Sequence, residues 1–162
     1  IFSSSFQEDS DSLYGKAKKE SRLFLEQTIS ELGGKFTGLI IPNVFGPFCK
    51  PNYNSFVATF CSKILIDQTP EILNDSNVPL VYIDSLIQQI VKNIELTNEL
   101  KLINISSDIE IKVSEVLRIL KHFKNSYLKE NKLPLFNNSF KFNLFNTFRD
   151  YINLEKTFPV YL

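Results

Sequence analysis

Apolar and polar positions at the start of the chain predict a strand, a helix and a second strand. Residues 1–5 are typical of a strand end, and the acidic, serine-rich residues 6–12 predict a loop. Apolar side chains then recur at helical spacing over residues 13–32, and Gly33-Gly34 is expected to end that helix. The nearly continuous apolar run at residues 36–41 is typical of a strand buried on both faces of a parallel sheet. Together these segments predict an α/β unit.

The helix predicted over residues 13–32 is expected to be amphipathic, with one apolar face and one face in water. Its apolar positions are Ala17, Leu23, Phe24, Ile29 and Leu32. Its charged positions, expected on the solvent side, are Lys16, Lys18, Lys19, Glu20 and Arg22.

The rest of the chain alternates short apolar runs with segments of helical periodicity. Residues 42–55, rich in Pro, Asn and Gly, predict a loop at the carboxyl end of the buried strand. In open α/β sheets such loops line the ligand crevice. Further strands are predicted at residues 78–83 and 102–105, and helices at 56–66 (capped by Ser55), from Asp84-Ser85 to 94, within 107–129 and near 143–151.

The composition narrows the classes of ligand that the chain can serve. Its 162 residues suit one domain, and 18 basic and 18 acidic residues give a net charge of zero. A nucleic-acid partner requires a clustered basic excess and is not expected, whereas a small anionic ligand needs only a few donors. The set Cys49, Cys61 and His122 suits neither a disulfide framework nor a metal site. We therefore expect no metal and reduced thiols in the cytoplasm.

The ends and the longest apolar runs of the chain give two further expectations. No apolar run reaches the roughly 20 residues of a membrane-spanning helix, so no membrane partner is expected. The first residue is Ile1, inside a predicted strand, from which we expect that an N-terminal portion precedes these residues.

The string Tyr14-Gly15-Lys16-Ala17-Lys18 suggests acid–base chemistry. Residues four apart on a helix share a face, so Tyr14 and Lys18 are predicted neighbours. An ammonium near a phenol stabilises the phenolate, and such a Tyr can exchange a proton with a substrate alcohol or ketone near neutral pH. The serine run at residues 3–5, just upstream, offers a hydroxyl to the same oxygen. The acid–base half of a hydride-transfer site is thus present in outline.

These residues, with the string from Pro42 to Pro47, resemble the extended short-chain dehydrogenase/reductase family of nucleotide-sugar epimerases, dehydratases and reductases. The resemblance implies an α/β fold, the C-terminal half of a Rossmann-like parallel sheet with a small mixed substrate-binding lobe. It implies that Tyr14 is the catalytic acid/base, and that Lys18 tunes Tyr14 and holds the nicotinamide ribose. It implies that Ser5 binds the substrate oxygen, with Ser4 as the alternative.

The same resemblance implies roles in cofactor and substrate binding for the segment after the buried strand. Pro42 and Val44 are expected to lie against the nicotinamide, and Asn43 to contact the substrate. A catalytic part is expected over residues 1–48 and a mostly substrate-binding lobe over residues 49–162.

A narrower resemblance, to the capsular-polysaccharide reductases of this family, rests on the string from Phe48 to Cys61. Those enzymes reduce a UDP-linked 2-acetamido-dideoxy-4-keto-hexose. In physical terms, Lys50 offers charge to a diphosphate and the polar residues that follow offer hydrogen bonds. The resemblance therefore implies a nucleotide-sugar substrate, a homodimer in the complete protein, and substrate contacts from Lys50, Asn52, Asn54 and Ser55.

The chain departs from the family pattern in several places. The glycine-rich phosphate fingerprint is absent from these residues, so NADPH or NADH is expected to be bound mainly by an N-terminal half outside them. Arg22 stands where the family often has a glutamate. Residues 158–162 hint at the start of a following cupin-like domain.

Three functions stay open at this point. The first is reduction of a UDP-linked 4-keto-dideoxy sugar, and the second is a nucleotide-sugar 4-epimerase or dehydratase. The third is a non-catalytic fragment or interaction module that keeps the fold without holding NAD. Several candidate residues also have a purely structural interpretation. Tyr14 would pack on the core, Lys18 and Lys50 would be solvated charges, and the serine run would be a turn.

Overall fold

The structure, a computed structural model, describes residues 1–95 and 101–157. The chain divides into two units: unit 1 comprises Ile1–Val44 and Ile83–Ser107, and unit 2 comprises Phe45–Tyr82 and Asp108–Leu162. In chain order the helices and strands are β1 (Phe2–Ser5), α1 (Leu13–Glu31), β2 (Thr37–Ile41), β3 (Asn43–Phe45), α2 (Phe56–Leu65), β4 (Asn77–Tyr82), α3 (Ile83–Glu95), β5 (Lys101–Asn104), β6 (Ile109–Lys112), α4 (Val113–Phe123), α5 (Ser139–Asp150) and α6 (Leu154–Thr157). A 3-10 turn spans Phe6–Asp9, and a π-helical segment spans Lys124–Lys129.

Unit 1 contains the parallel sheet that the apolar pattern predicts. Its order is β1-β2-β5, and β2 is parallel to both neighbours. Helix α1 is the crossover between β1 and β2. It begins at Ser12, whose hydroxyl accepts the N–H of Gly15 at 3.0 Å, and it ends where Gly33 takes a φ of +67°. The predicted α/β unit and its glycine stop are confirmed.

Unit 2 is organised around aromatic side chains. A second sheet has the order β3-β4-β6, in which β4 and β6 are antiparallel. The rings of Phe123, Phe145 and Phe148 are almost completely buried, and the centroids of Phe123 and Phe145 lie 5.2 Å apart. This packing joins α4 to α5, so the Phe-rich end of the chain supplies core.

Several predicted boundaries were wrong. Residues 42–55 were expected to be loop throughout, but they include β3, and the predicted loop at residues 6–12 contains the 3-10 turn. Strand β6 was missed because four residues are too few to show a period. Helix α3 begins at Ile83, so Asp84 and Ser85 lie in its first turn and do not precede it. The predicted start of a further domain at residues 158–162 lies outside the described residues.

The predicted faces of α1 also need correction. Leu23 and Phe24, expected in the core, are 48% and 69% exposed. Arg22, expected in solvent, is only 6% exposed. The reason is a buried carboxylate partner, Glu8, which lies 14 residues away in the chain and cannot be inferred from helical periodicity.

Candidate active site

Tyr14 and Lys18 lie on one side of α1, as the spacing predicts. The Lys18 ammonium is 5.9 Å from the centroid of the Tyr14 ring and 5.3 Å from that of Phe2. Tyr14 is 54% exposed, so solvent or a ligand can reach its ring. A cation therefore sits beside an accessible phenol.

The Lys18 ammonium is anchored to the end of β1. It donates a hydrogen bond to the backbone carbonyl of Ser3 at 2.9 Å. This contact spans 15 residues of sequence and joins α1 to the serine run. This hydrogen bond favours one rotamer of the lysine, whereas a solvated lysine samples many.

The three serines of β1 have different surroundings. Ser4 is buried, and its hydroxyl donates to Glu8 Oε2 at 2.6 Å. Ser5 is half-buried, and its hydroxyl accepts the N–H of Gln7 at 3.2 Å, which caps the 3-10 turn. Because successive side chains of a strand point to opposite faces, Ser3 and Ser5 share the face that Ser4 avoids. Of the Ser4 and Ser5 hydroxyls, that of Ser5 is therefore the more accessible.

A buried ion pair between Glu8 and Arg22 contacts Ser4 of the serine run, and the sequence patterns did not predict it. Arg22 donates from Nε to Glu8 Oε2 at 3.1 Å and from its terminal nitrogen to Oε1 at 2.9 Å. Burial alone would raise the pKa of Glu8, but the hydrogen bonds from Arg22 and Ser4 and the Arg22 charge hold that pKa below its ordinary range. The one signal for the pair was Arg22 itself, which stands where the family often has a glutamate.

Gly15 allows the start of α1 to lie against the 3-10 turn. A Cβ at this position would lie 2.1 Å from the backbone oxygen of Gln7 and 2.6 Å from Ser10 Oγ. Real side chains do not approach backbone oxygens so closely. The glycine between the two candidate functional residues therefore sets how close the start of α1 lies to the 3-10 turn.

The segment that follows β2 lies at the same edge of the sheet as Ser5. Ser5 is paired with Ile41 in the parallel register, so Pro42 continues from the carboxyl end where β1 also ends. Pro42 is buried, while Asn43 and Val44 are half-buried in β3. Within unit 1 the structure thus brings Ser5 and the start of this segment to one sheet edge.

The remaining candidate residues lie in unit 2, in the loop before α2. Lys50, Asn52 and Asn54 are exposed. The N–H of Asn52 donates to Thr59 Oγ1 at 2.9 Å, and Asn52 has a φ of +55°, which Asn tolerates better than most residues. Ser55 is buried and caps α2, since its hydroxyl accepts the N–H of Ala58 at 3.4 Å.

The two cysteines and the histidine have ordinary surroundings. Both thiols are free, and burial raises the pKa of Cys61. His122 is exposed on α4. Over residues 1–95 and 101–157 no three His, Cys, Asp or Glu side chains are grouped to hold a metal ion. Within those same ranges no helix is both long enough and apolar enough to cross a membrane.

Comparison with known proteins identifies relatives of the chain. No protein-family model matches it. It is 35% identical over 129 residues to UDP-2-acetamido-2,6-beta-L-arabino-hexul-4-ose reductase from Pseudomonas aeruginosa, a match that covers 78% of this chain and 34% of that protein. The capsular polysaccharide assembling protein CapF from Staphylococcus aureus superposes with a TM-score of 0.82 and 29% identity, over 99% of this chain and 45% of that one.

A more distant neighbour has the same fold. It is the UDP-glucuronic acid 4-epimerase from Bacillus cereus, in complex with UDP-4-deoxy-4-fluoro-glucuronic acid and NAD. Its TM-score is 0.71 at 15% identity, over 88% of this chain and 55% of that one. The chain spans about a third of the curated reductase, and over that span these similarities support the resemblance to the short-chain dehydrogenase/reductase and epimerase family.

Proposed function

We propose that the chain is part of an NAD(P)-dependent reductase that acts on a UDP-linked 4-keto-dideoxy sugar, in the cytoplasmic synthesis of surface-polysaccharide precursors. The observation that carries the proposal is the Lys18 ammonium, bound to Ser3 O and placed beside the accessible ring of Tyr14. The named reductase among its relatives supports the choice of substrate class.

In the proposed reaction Tyr14 is the proton donor. Reduction of a C4 ketone creates an alkoxide, which takes the phenolic proton of Tyr14. The Lys18 ammonium, 5.9 Å from the centroid of the Tyr14 ring, then stabilises the phenolate that remains, because opposite charges attract. Ser5 donates or accepts a hydrogen bond at the same sugar oxygen and orients it.

The residues of unit 1 suit the nicotinamide end of a dinucleotide. NAD(P)H supplies the hydride when it is bound. Lys18 would hold the ribose, while Val44 and Pro42, the latter at the sheet edge shared with Ser5, would lie against the nicotinamide. The glycine-rich cradle for the pyrophosphate is not among these residues, so we assign the rest of the cofactor site to other parts of the complete protein.

Unit 2 is proposed as the substrate-binding lobe. Lys50 offers an exposed positive charge, and Asn52 and Asn54 offer amide groups on the same loop. The N-terminus of α2, a ten-residue helix, adds a favourable dipole for a diphosphate. Ser55 completes the proposed substrate set of unit 2 by holding the start of α2 through its cap, and Asn43 of unit 1 is proposed as a further substrate contact. We expect the complete protein to act as a homodimer.

The test uses the complete protein, a UDP-linked 2-acetamido-dideoxy-4-keto-hexose and NADPH or NADH. Tyr14→Phe is expected to lower kcat by about 10²–10⁴-fold, the usual contribution of a positioned proton donor, while calorimetry shows unchanged binding of the UDP-sugar. Lys18→Gln should lower kcat as well. Lys16→Gln is the matched control, because Lys16 flanks the site but pairs with Asp11 in solvent.

Two results would contradict the proposal. Turnover that survives Tyr14→Phe would remove the phenol from the reaction. Sugar interconversion without net consumption of reduced cofactor would show an epimerase instead of a reductase.

A further inference from the structure

A closed path of contacts connects the elements that carry Tyr14, Lys18 and the serine run. Ser4, Glu8 and Arg22, here called the Glu8 cluster, join three elements of unit 1: the end of β1, the 3-10 turn and α1. Glu8 receives one hydrogen bond from Ser4 and two from Arg22, so both oxygens of its carboxylate are used. Every member of the cluster is buried.

The burial makes the geometry of the cluster rigid. The side chains of Glu8 and Arg22 are each 7% exposed, so little water is available to replace a broken contact. Arg22 also donates to Glu26 one turn further along α1, at 3.2 Å. Gly38 of β2 leaves room for the arginine stem, since a Cβ there would lie 3.0 Å from Arg22 Cδ.

The Glu8 cluster and the Lys18 hydrogen bond connect the same two elements, α1 and β1. Lys18 lies one helical turn before Arg22 on α1, and its ammonium binds the carbonyl of Ser3, the residue before Ser4. The path therefore closes on itself: from α1 through Lys18 to Ser3, along β1 to Ser4, and through Glu8 and Arg22 back to α1. If the link through Glu8 is cut, β1 keeps its pairing with β2, but the carbonyl that holds Lys18 loses the buried contact that ties this end of β1 to the helix.

We propose that Glu8 and Arg22 are positioning residues that hold the Lys18 ammonium beside Tyr14. The inference rests on the proposed function, because it uses the Tyr14–Lys18 pair as the reacting centre. It goes beyond that function by assigning a role to two residues that touch neither substrate nor cofactor. A displacement of a catalytic group by about 1 Å can cost about 10²-fold in rate, so a buried anchor of this kind affects turnover.

A matched control lies on the same two elements. Asp9 and Lys19 also connect the 3-10 turn to α1, with Nζ and Oδ1 2.7 Å apart. That pair is exposed, at 81% for the Asp9 side chain and 45% for Lys19. Asp9→Asn therefore removes a carboxylate next to Glu8 without breaking a hydrogen bond of the buried path.

The first measurement is steady-state kinetics of the complete protein with the UDP-linked 4-keto sugar and NADPH or NADH. Glu8→Gln is expected to lower kcat by about 10- to 100-fold while KM for the sugar changes less than about two-fold. Asp9→Asn should change kcat less than about two-fold. If Glu8→Gln does not fold, Ser4→Ala removes only one hydrogen bond of the cluster and is expected to lower kcat by about three- to ten-fold.

The deciding measurement is a double-mutant cycle with Lys18→Gln. If the Glu8 cluster acts through Lys18, Glu8→Gln or Ser4→Ala costs less than about two-fold once Lys18 is already gone. A purely structural role would give the same loss in both backgrounds, and that additivity would overturn the inference. Failure of the proposed function is separate, because it would appear as turnover surviving Tyr14→Phe in the otherwise unchanged protein.

Discussion

Unit 1 and unit 2 bury different kinds of side chain. Among the described residues, the buried charged side chains, Glu8 and Arg22, both lie in unit 1. In unit 2 the buried polar side chains are hydroxyls, and the core consists of aromatic rings such as Phe123, Phe145 and Phe148. The centroid of the Phe123 ring lies 5.2 Å from that of Phe145 and 6.2 Å from that of Phe148.

The difference shows what each kind of interior can do. Apolar burial is non-directional and roughly proportional to area, so it stabilises unit 2 without fixing any single atom. A buried carboxylate that accepts three hydrogen bonds is directional. The cost of desolvating its charge offsets most of the stability that these bonds give, but the bonds fix the distances between the atoms that they join. Unit 1 carries the candidate reacting groups, and it is the unit whose interior fixes polar atoms.

The largest effect is expected in the aromatic core of unit 2. Phe123→Ala should lower the free energy of unfolding by about 3–5 kcal/mol, since it removes a fully buried ring and leaves a cavity. Urea denaturation followed by circular dichroism measures the change. Phe142→Ala is the control: its ring is 49% exposed, and its loss should cost less than about 1 kcal/mol. Equal losses would mean that the aromatic cluster is not the core of unit 2.

An intermediate effect, dependent on pH, is expected in unit 1. Glu8→Gln should cost about 3 kcal/mol near neutral pH, because it leaves Arg22 buried without its main counter-charge. The folded pKa of Glu8 is held below its ordinary range, so the carboxylate's contribution is complete above about pH 4.3, the ordinary value for Glu. That contribution is lost as the pH falls through the lowered pKa.

The measurement is urea denaturation of both proteins from neutral to acid pH. The difference in stability between the parent and Glu8→Gln should shrink as the pH falls. A constant difference would show that the charge of Glu8 does not contribute. Asp9→Asn supplies the comparison at an exposed pair on the same two elements.

The smallest effect is expected at Ser55 in unit 2. Ser55→Ala removes the side-chain cap of α2 and should cost about 1 kcal/mol, whereas Ser55→Thr keeps a capping hydroxyl and should cost less. Thermal unfolding measures both variants. If the two cost the same, the hydroxyl does not stabilise α2, and its proposed place in the substrate set would need a direct contact instead.

Much of unit 1 could be predicted from the sequence because its signals are local. Four-residue spacing alone puts Tyr14 and Lys18 on one face of α1, and Gly33 marks where that helix ends. The apolar run that became β2 predicted a buried parallel strand, which the pairing with β1 confirms. In unit 2, Ser55 was correctly predicted as the cap of α2.

The contacts that were missed all join residues far apart in the chain. Arg22 was assigned to solvent because periodicity treats a charge as exposed, and its partner Glu8 lies in another element. Helix α4 gives a second case. Its capping group is Asp75, which accepts the N–H and the hydroxyl of Ser114 from 39 residues away.

The sequence by itself therefore determined the α/β unit, the glycine stop of α1, the Ser55 cap of α2 and the Tyr14–Lys18 neighbourhood, since these depend on backbone geometry over a few residues. Only the tertiary structure decided that Lys18 binds the Ser3 carbonyl, that Ser4 is buried away from the face of Ser5, and that Arg22 is buried against Glu8. The reason is physical: a charged side chain is buried only where a counter-charge and hydrogen-bond partners surround it. Those groups are far apart in the sequence, and only folding brings them together.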